Sequence, residues 1–562
     1  MEAINETKSN TKIDNYEMVS GTNPILKMDY PDPDVIRVGN AFYMITTTMH
    51  FMPGAEILKS YDLINWEHET YIYDKLDSTD AQRLEGDGHV FGKGMWAATI
   101  RFHENVFYIL FVCNDTQKTY LYKSNKVELG DENSEELDMN NLTWTKSTVE
   151  GFYHDASLLF DDGKIFIVYG NTDIYLTELN SEITGPKPGG VNKVILTDKG
   201  NPQLGYEGSH LYKIDGRYYL FLIHSKWDRW RRVEACFMAD TLEDLINGNL
   251  KGGDVFDDDM GFRNSGIAQG GIVEGPDGIW NAIMFQDSGA IGRIPVVVPV
   301  SFGADGYPVF GVENPESKKN RITPKILNLP TLKSGVEYKS LVGSDDFRYN
   351  PEETFREDKK QYGSFGFKSM WQFSHEPYMD LVKCDSQRGS VWITTDKLSS
   401  NIYHARNILT QRMIFPGCSA EVTLDVSKLK DGDSAGLAAF QGNYAWVGVR
   451  KEAGKAKAVM CSFTNTSGDV WDLSDEPGVI EESIDLDSDI IRLRLTATFE
   501  DGDAKDVASC EVDLGQGFRQ IGTVHQLSFR LDHFTGCRFG LFVYSEEQVG
   551  GSAGFLDFRY NK

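Results

Sequence analysis

The sequence predicts an all-β protein: a five-bladed β-propeller followed by a β-sandwich. Three observations lead there. A strand–turn–strand unit recurs five times along the first half of the chain. Gly is abundant, at 54 of 562 residues, and aromatic residues reach 12%; both suit many short strands joined by tight turns. From about residue 346 the repeat gives way to short alternating strands of a different texture.

The first unit opens with Tyr30-Pro-Asp-Pro-Asp34. Pyrrolidine rings on either side of Asp32 fix φ, so the turn is stiff and presents one carboxylate at the head of a strand. An alternating β-branched strand follows, then a Gly-Asn turn and the aromatic-rich run Ala41-Phe-Tyr-Met-Ile45. Later copies begin at Met95, Tyr153, Tyr206 and Ile267. Their turns step from Asn40 to Asn105, Gly163, Gly216 and Gly278, at intervals of 65, 58, 53 and 62 residues. A period of this size built from hairpins indicates a propeller with one four-stranded blade per repeat. A sandwich would not produce it.

Residues 315–345, with Pro324 and Pro330, read as a linker or as the closing strand of the last blade. Beyond them, Ala420–Val426, Ile491–Phe499, Arg538–Tyr544 and Gly554–Tyr560 alternate apolar and polar residues, and Lys430-Asp-Gly432 and Glu500-Asp-Gly-Asp503 supply turns. That is the pattern of a jelly-roll or concanavalin-like sandwich, which could bind sugar or brace the propeller. The expected organisation is a polar, poorly ordered stretch over residues 1–20, a catalytic propeller over 21–335 and a sandwich over 346–562.

Composition narrows the partners. A net charge of −28 argues against nucleic acid, whose phosphates need a basic footprint. No run approaches the roughly 18 apolar residues of a membrane span. The seven cysteines are odd in number and lack CxxC spacing, which argues against a disulfide framework or a zinc site. Met1–Lys12 has no apolar core of the kind a secretory signal carries. A cytoplasmic protein without a membrane or nucleic-acid partner is expected. No pattern bears on its oligomeric state.

Counting back eight or nine residues from each turn reaches Asp32, Trp96, Asp155, Glu207 and Gln269. Equivalent positions of propeller blades point to the central axis, so these side chains should converge. Three acids in one partly desolvated pocket cannot all ionise at their usual pKa. Unequal protonation is what general acid–base catalysis requires, and cleavage of a glycosidic bond uses such a pair. Trp96 offers a flat face for a sugar ring, or is blade core. The same three carboxylates could instead hold Ca²⁺, and the protein would then be a non-catalytic glycan-binding propeller–sandwich.

At these residues the chain resembles glycoside hydrolase family 43. The resemblance runs from about Asn23 to Val312 and continues into a C-terminal sandwich. It rests on Asn23-Pro-Ile-Leu, Tyr30-Pro-Asp-Pro-Asp34, Met52-Pro-Gly54 with Lys59-Ser-Tyr-Asp-Leu-Ile-Asn-Trp66, Gly94-Met-Trp-Ala97, His154-Asp-Ala-Ser157, Tyr206-Glu-Gly-Ser-His210 and Gly292-Arg293. The resemblance implies an inverting, exo-acting enzyme that releases L-arabinofuranose or D-xylose from oligosaccharides and requires no cofactor. It implies Asp32 as general base, Glu207 as general acid and Asp155 as the residue that keeps Glu207 protonated. It places Arg293 near the substrate, His50 and Phe51 on a loop lining the entry subsite, and Phe534 on a sandwich loop reaching toward the site. Where many relatives carry a histidine sometimes associated with Ca²⁺, this chain has Gln269, which could still ligate the ion.

Overall fold

The computed structural model describes residues 16–129, 137–318, 320–351, 354, 361–502 and 505–562. Each hairpin becomes part of an antiparallel sheet. Blade one comprises Asp34–Val38, Ala41–Ile45, Gly54–Ser60 and Glu67–Tyr73; blade two Met95–His103, Val106–Cys113, Lys118–Ser124 and Trp144–Val149. Blade three comprises Ser157–Asp161, Lys164–Asn171, Asp173–Leu179 and Asn192–Thr197; blade four Glu207–Ile214, Arg217–Ser225, Arg232–Ala239 and Lys251–Phe256. Blade five has an interrupted inner strand, Ile267–Ala268 and Ile272–Glu274, followed by Trp280–Asp287, Arg293–Phe302 and Pro308–Phe310. The inner turns of blades two, three and four have positive φ at both central residues (Glu104 and Asn105, Asp162 and Gly163, Asp215 and Gly216), the geometry that matches strand twist in two-residue hairpins.

The inner strands are tied around the axis by a buried charge. Asp34 accepts from the Ile100 N–H at 2.9 Å and from Arg101 Nη1 at 2.6 Å, and its other oxygen lies 3.3 Å from His210 Nδ1. Burial opposes its ionisation, but Arg101 and His210 more than offset this and hold the carboxyl well below its usual range. Arg101 also donates to Ser157 Oγ at 2.5 Å, so four blades share one network.

The expectation of a poorly ordered stretch through residue 20 needs correction. Residues 1–15 lie outside the described residues, but Met18–Thr22 is a strand paired antiparallel with Ile326–Pro330. The pairing satisfies backbone groups that a free tail would leave to water. Beside it, the Asn23 amide donates to the carbonyls of Val297 (2.7 Å) and Pro324 (2.8 Å) and accepts from the Val297 N–H (2.9 Å).

The C-terminal part is a sandwich of two eight-stranded sheets. Its strands bury alternate residues, as in Ile490–Thr498. One sheet runs Val479–Asp485, Lys455–Ser462, Ala445–Glu452, Asp433–Phe440, Arg538–Ser545, Leu409–Arg412, Gln372–Ser374 and then Phe51–Met52. Its last strand thus comes from the propeller. A single apolar core crosses the seam, joining Tyr30, Phe42 and Leu58 of blade one to Phe373, Leu409 and Phe539 of the sandwich; each such buried side chain contributes roughly 1.5–3 kcal/mol. Polar ties reinforce it. Asp29 accepts from the backbone N–H groups of Arg293 and Gly536, both at 2.8 Å. Arg412 pairs with Glu56 at 2.8 Å and lies 4.0 Å over the Tyr30 ring.

Candidate active site

The five slot residues meet at one end of the propeller. Asp32, Trp96, Asp155, Glu207 and Gln269 line a single pocket with Met49, Ala97, His154, Arg293 and Phe534. Local backbone geometry delivers them in two ways. Asp32, Asp155 and Gln269 have φ of 52°, 47° and 53°, a left-handed conformation that is costly for a residue with a Cβ and recurs at functional sites. Trp96 and Glu207 sit instead where the pairing register of their strands shifts. The extra residue of such a bulge explains an offset of nine rather than eight in blades two and four.

Asp32 is held from two sides. Thr47 Oγ1 donates to one oxygen at 2.7 Å, and Arg293 Nη1 to the other at 2.6 Å. Arg293 is buried, not an exposed surface residue. Its guanidinium lies 4.7 Å from both the Phe285 and Phe534 rings, and Nε is 3.4 Å from Asp287. Asp287 also pairs with Arg232.

Asp155 and Glu207 form the other half of the pocket. Asp155 accepts from the Gly208 N–H at 3.2 Å. Glu207 accepts from the Asn171 amide at 2.5 Å. His154 Nε2 lies 3.5 Å from Glu207 and 3.7 Å from Asp155. Burial and the neighbouring acids push Asp155 up to about 6, against the pull of His154. Burial also raises Glu207, but the hydrogen bond and charge of His154, with Arg232 and Arg293, bring it below the usual carboxylate range. Burial lowers His154, yet Asp155, Glu207 and Asp32 overcome it and raise the imidazole to about 9. The two carboxyls titrate as a pair, with Asp155 pulled up and Glu207 pulled down by the groups around them.

Trp96 donates its indole N–H to the Gly92 carbonyl at 3.2 Å and meets His154 and Phe534 edge-on at 5.6 and 5.4 Å. Phe534 comes from the sandwich, so the second domain supplies part of the pocket wall. Gln269 donates its backbone N–H to Glu234 at 2.8 Å, and burial pushes that carboxyl well above its usual range. Ca²⁺ takes six to eight oxygen ligands; the cluster of potential ligands found among the described residues, His154, Asp155 and Glu207, supplies two carboxylates toward that number.

The placement of His50 and Phe51 at the entry needs correction. Both are buried in the seam between the domains. Phe51 belongs to the strand that completes the sandwich sheet, and Arg538 covers its ring at 3.4 Å. His50 packs against Phe91 at 4.7 Å, His375 at 5.1 Å and His533 at 5.3 Å. The residue that reaches the pocket from this loop is Met49, through reciprocal backbone bonds to Met95 of 3.1 and 2.9 Å. Sequence reasoning also passed over His154, although it stands beside Asp155, and Asn171, which carries no repeat signal.

Three carboxylates gathered in one pocket at a propeller mouth and faced by aromatic rings are the equipment of a glycosidase. Comparison with known proteins agrees. Residues 21–308 match the family model for glycosyl hydrolases family 43, and residues 363–561 match that for the β-xylosidase C-terminal concanavalin A-like domain. The chain belongs to glycosyl hydrolase family 43. It is 23% identical to a β-xylosidase of Formosa agariphila over 95% of this chain and 88% of the relative. It is 24% identical to a non-reducing end α-L-arabinofuranosidase of Bacteroides ovatus over 74% of this chain and 72% of the relative. A bifunctional GH43-CE protein of Bacteroides eggerthii superposes with a TM-score of 0.82 at 34% identity, covering 97% of this chain; this chain spans 64% of that longer protein.

Proposed function

We propose that the protein is an inverting, exo-acting glycoside hydrolase that releases terminal L-arabinofuranose, D-xylose or both from hemicellulose-derived oligosaccharides. The observation that carries the reading is the pocket at the propeller mouth that gathers Asp32, Asp155 and Glu207. Asp32, its charge countered by Arg293, takes a proton from water while the water oxygen bonds to the anomeric carbon. The glycosidic C–O bond breaks, and Glu207 delivers a proton to the leaving oxygen. That proton comes from the coupled pair of Asp155 and Glu207: a sugar filling the pocket strips water from Glu207 and raises its affinity for the proton. Solvent exchange then deprotonates Asp32 and reloads the pair. Water and three carboxylates balance the reaction, and no cofactor enters. The seven unpaired cysteines support a reducing, cytoplasmic setting.

The test is a panel of nitrophenyl pentosides with the anomer of the released sugar followed by NMR. An inverted product from arabinofuranoside or xyloside is expected. A retained product, or turnover of neither, overturns the reading.

A further inference from the structure

Indole rings are rarely left in water without a reason, because burying one stabilises a fold by several kcal/mol. Here three of the ten tryptophans are largely exposed: Trp227 at 55%, Trp230 at 56% and Trp471 at 48%. No other aromatic side chain among the described residues is comparably exposed. All three lie at the end of the propeller that carries the pocket.

Trp471 belongs to the sandwich, on the connection between the strands Lys455–Ser462 and Val479–Asp485. Its ring lies nearly parallel to that of Trp96, at 18° and 6.4 Å, and meets Phe534 edge-on at 5.6 Å. It thus continues the aromatic wall of the pocket outward. The connection is pinned in place: Val470 accepts from the Asp532 N–H at 2.8 Å, and the Trp471 N–H donates to Asp469 at 2.9 Å. Trp227 and Trp230 lie on the loop between the second and third strands of blade four. That second strand ends at Ser225, and Glu207 pairs with Ile223 close to its end, so the loop shares the pocket's side of the blade. The Trp230 ring is 5.5 Å from Arg232, which binds Asp287, the partner of Arg293.

Trp471 extends the aromatic wall of the pocket into solvent, and such rings offer flat apolar faces with a polar edge. Separate rings on a sandwich loop and on a blade do not make the continuous patch that a protein partner buries, which exceeds about 1,000 Å². They do suit a chain of neutral sugars, whose ring faces stack one at a time on flat aromatic surfaces. We infer that the rim binds the leaving part of the substrate. The pocket holds the sugar to be released, and Trp471, with Trp227 and Trp230 on the blade-four side, stacks on sugar units beyond the scissile bond. The inference rests on the glycosidase reading of the pocket and deepens it: the substrate class is an oligosaccharide of several units, not a disaccharide.

The test compares the wild type with Trp471→Ala and with the Trp227→Ala/Trp230→Ala double variant, each checked for an unchanged melting temperature. Substrates are α-L-arabinofuranosyl and β-D-xylopyranosyl fluorides, which have no leaving sugar, and plain and arabinosylated xylo-oligosaccharides from disaccharide to hexasaccharide. Wild-type kcat/KM is expected to rise with length. In Trp471→Ala the rise flattens, with about tenfold more loss on the longest substrate than on the fluorides, and the double variant flattens it too. Equal losses at all lengths, which would mean that Trp471 only props Trp96, overturn the inference; so does no loss at any length. A wild type that cleaves none of these substrates overturns the pocket reading instead. Hexasaccharide titration of Glu207→Gln protein, with and without Trp471→Ala, then decides the rim by itself: binding weakened by the second substitution supports it, and binding unaffected or absent sinks it.

Discussion

His154 and His50 are both largely buried imidazoles on loops of the same propeller, yet their environments drive them to opposite charge. His154 faces Asp155 and Glu207 and is raised to about 9. His50 faces His375, His533 and the cation of Arg538, and burial with these neighbours drives its pKa well down. The seam cluster extends to His533, lowered by burial and His89 to about 3, and to His89, lowered by burial and Lys93 to about 4. Burial acts in the same direction on each ring; nearby carboxylates reverse its effect at His154, none opposes it at His50 or His533, and Asp475 offsets it only in part at His89. A buried histidine therefore marks chemistry only when acids look at it.

Three measurements can break or sharpen this contrast. The largest effect belongs to the pocket acids. Glu207→Gln and Asp32→Asn should each lower kcat on natural linkages about a thousandfold with little change in melting temperature; rates within tenfold of wild type would remove their assigned roles. Next comes the seam. Its histidines fold neutral with pKa values below the unfolded value of about 6.5, so their stabilising share is complete above that pH. It is lost as pH falls, because the unfolded chain takes up protons that the folded seam refuses. Chemical denaturation between pH 7 and pH 4 should show a steep decline that His533→Phe makes shallower by a few kcal/mol; identical slopes would mean that the cluster does not control acid stability. The smallest effect is at His154. The acid pair must carry one proton, and His154 lowers the proton affinity of both members. His154→Gln should move the alkaline limb of the kcat/KM profile to higher pH with a loss of less than about tenfold at the optimum. A limb that stays in place or moves down would assign His154 a packing role alone.

Much of this was written locally. The hairpin period exposes the blades, because each repeat folds on its own turn chemistry. Asp32, Trp96, Asp155, Glu207 and Gln269 could be picked out because the propeller's rotational repeat turns equal offsets into convergence. Arg293 and Phe534 lie off that register and came only through family likeness; one reaches the pocket from the second long strand of blade five and the other from the second domain. His50 and Phe51 illustrate the opposite failure. Their segment reads as a loop because its strand partner, Gln372–Ser374, is remote in sequence, and no local pattern announces a pairing at that range. Trp471 escaped for the same reason: alternation shows that the sandwich exists, not which of its connections overhangs the pocket.

The shared strand has a consequence for how the molecule is made. The Gln372 side chain binds the Pro53 carbonyl, 319 positions earlier in the sequence, next to the pairing of Phe51 and Met52 with Phe373 and Ser374. During synthesis, blade one leaves the ribosome long before the sheet that will take up its rim segment. Until then Phe51 lacks its cover of Arg538, and the Asp29 carboxylate lacks one of its two backbone donors, Gly536. A propeller cut free of its C-terminal half would keep that immature edge permanently, with an apolar ribbon open to any passing strand. The two halves thus share a sheet, and moving the sandwich to another enzyme would transplant that sheet with one strand missing.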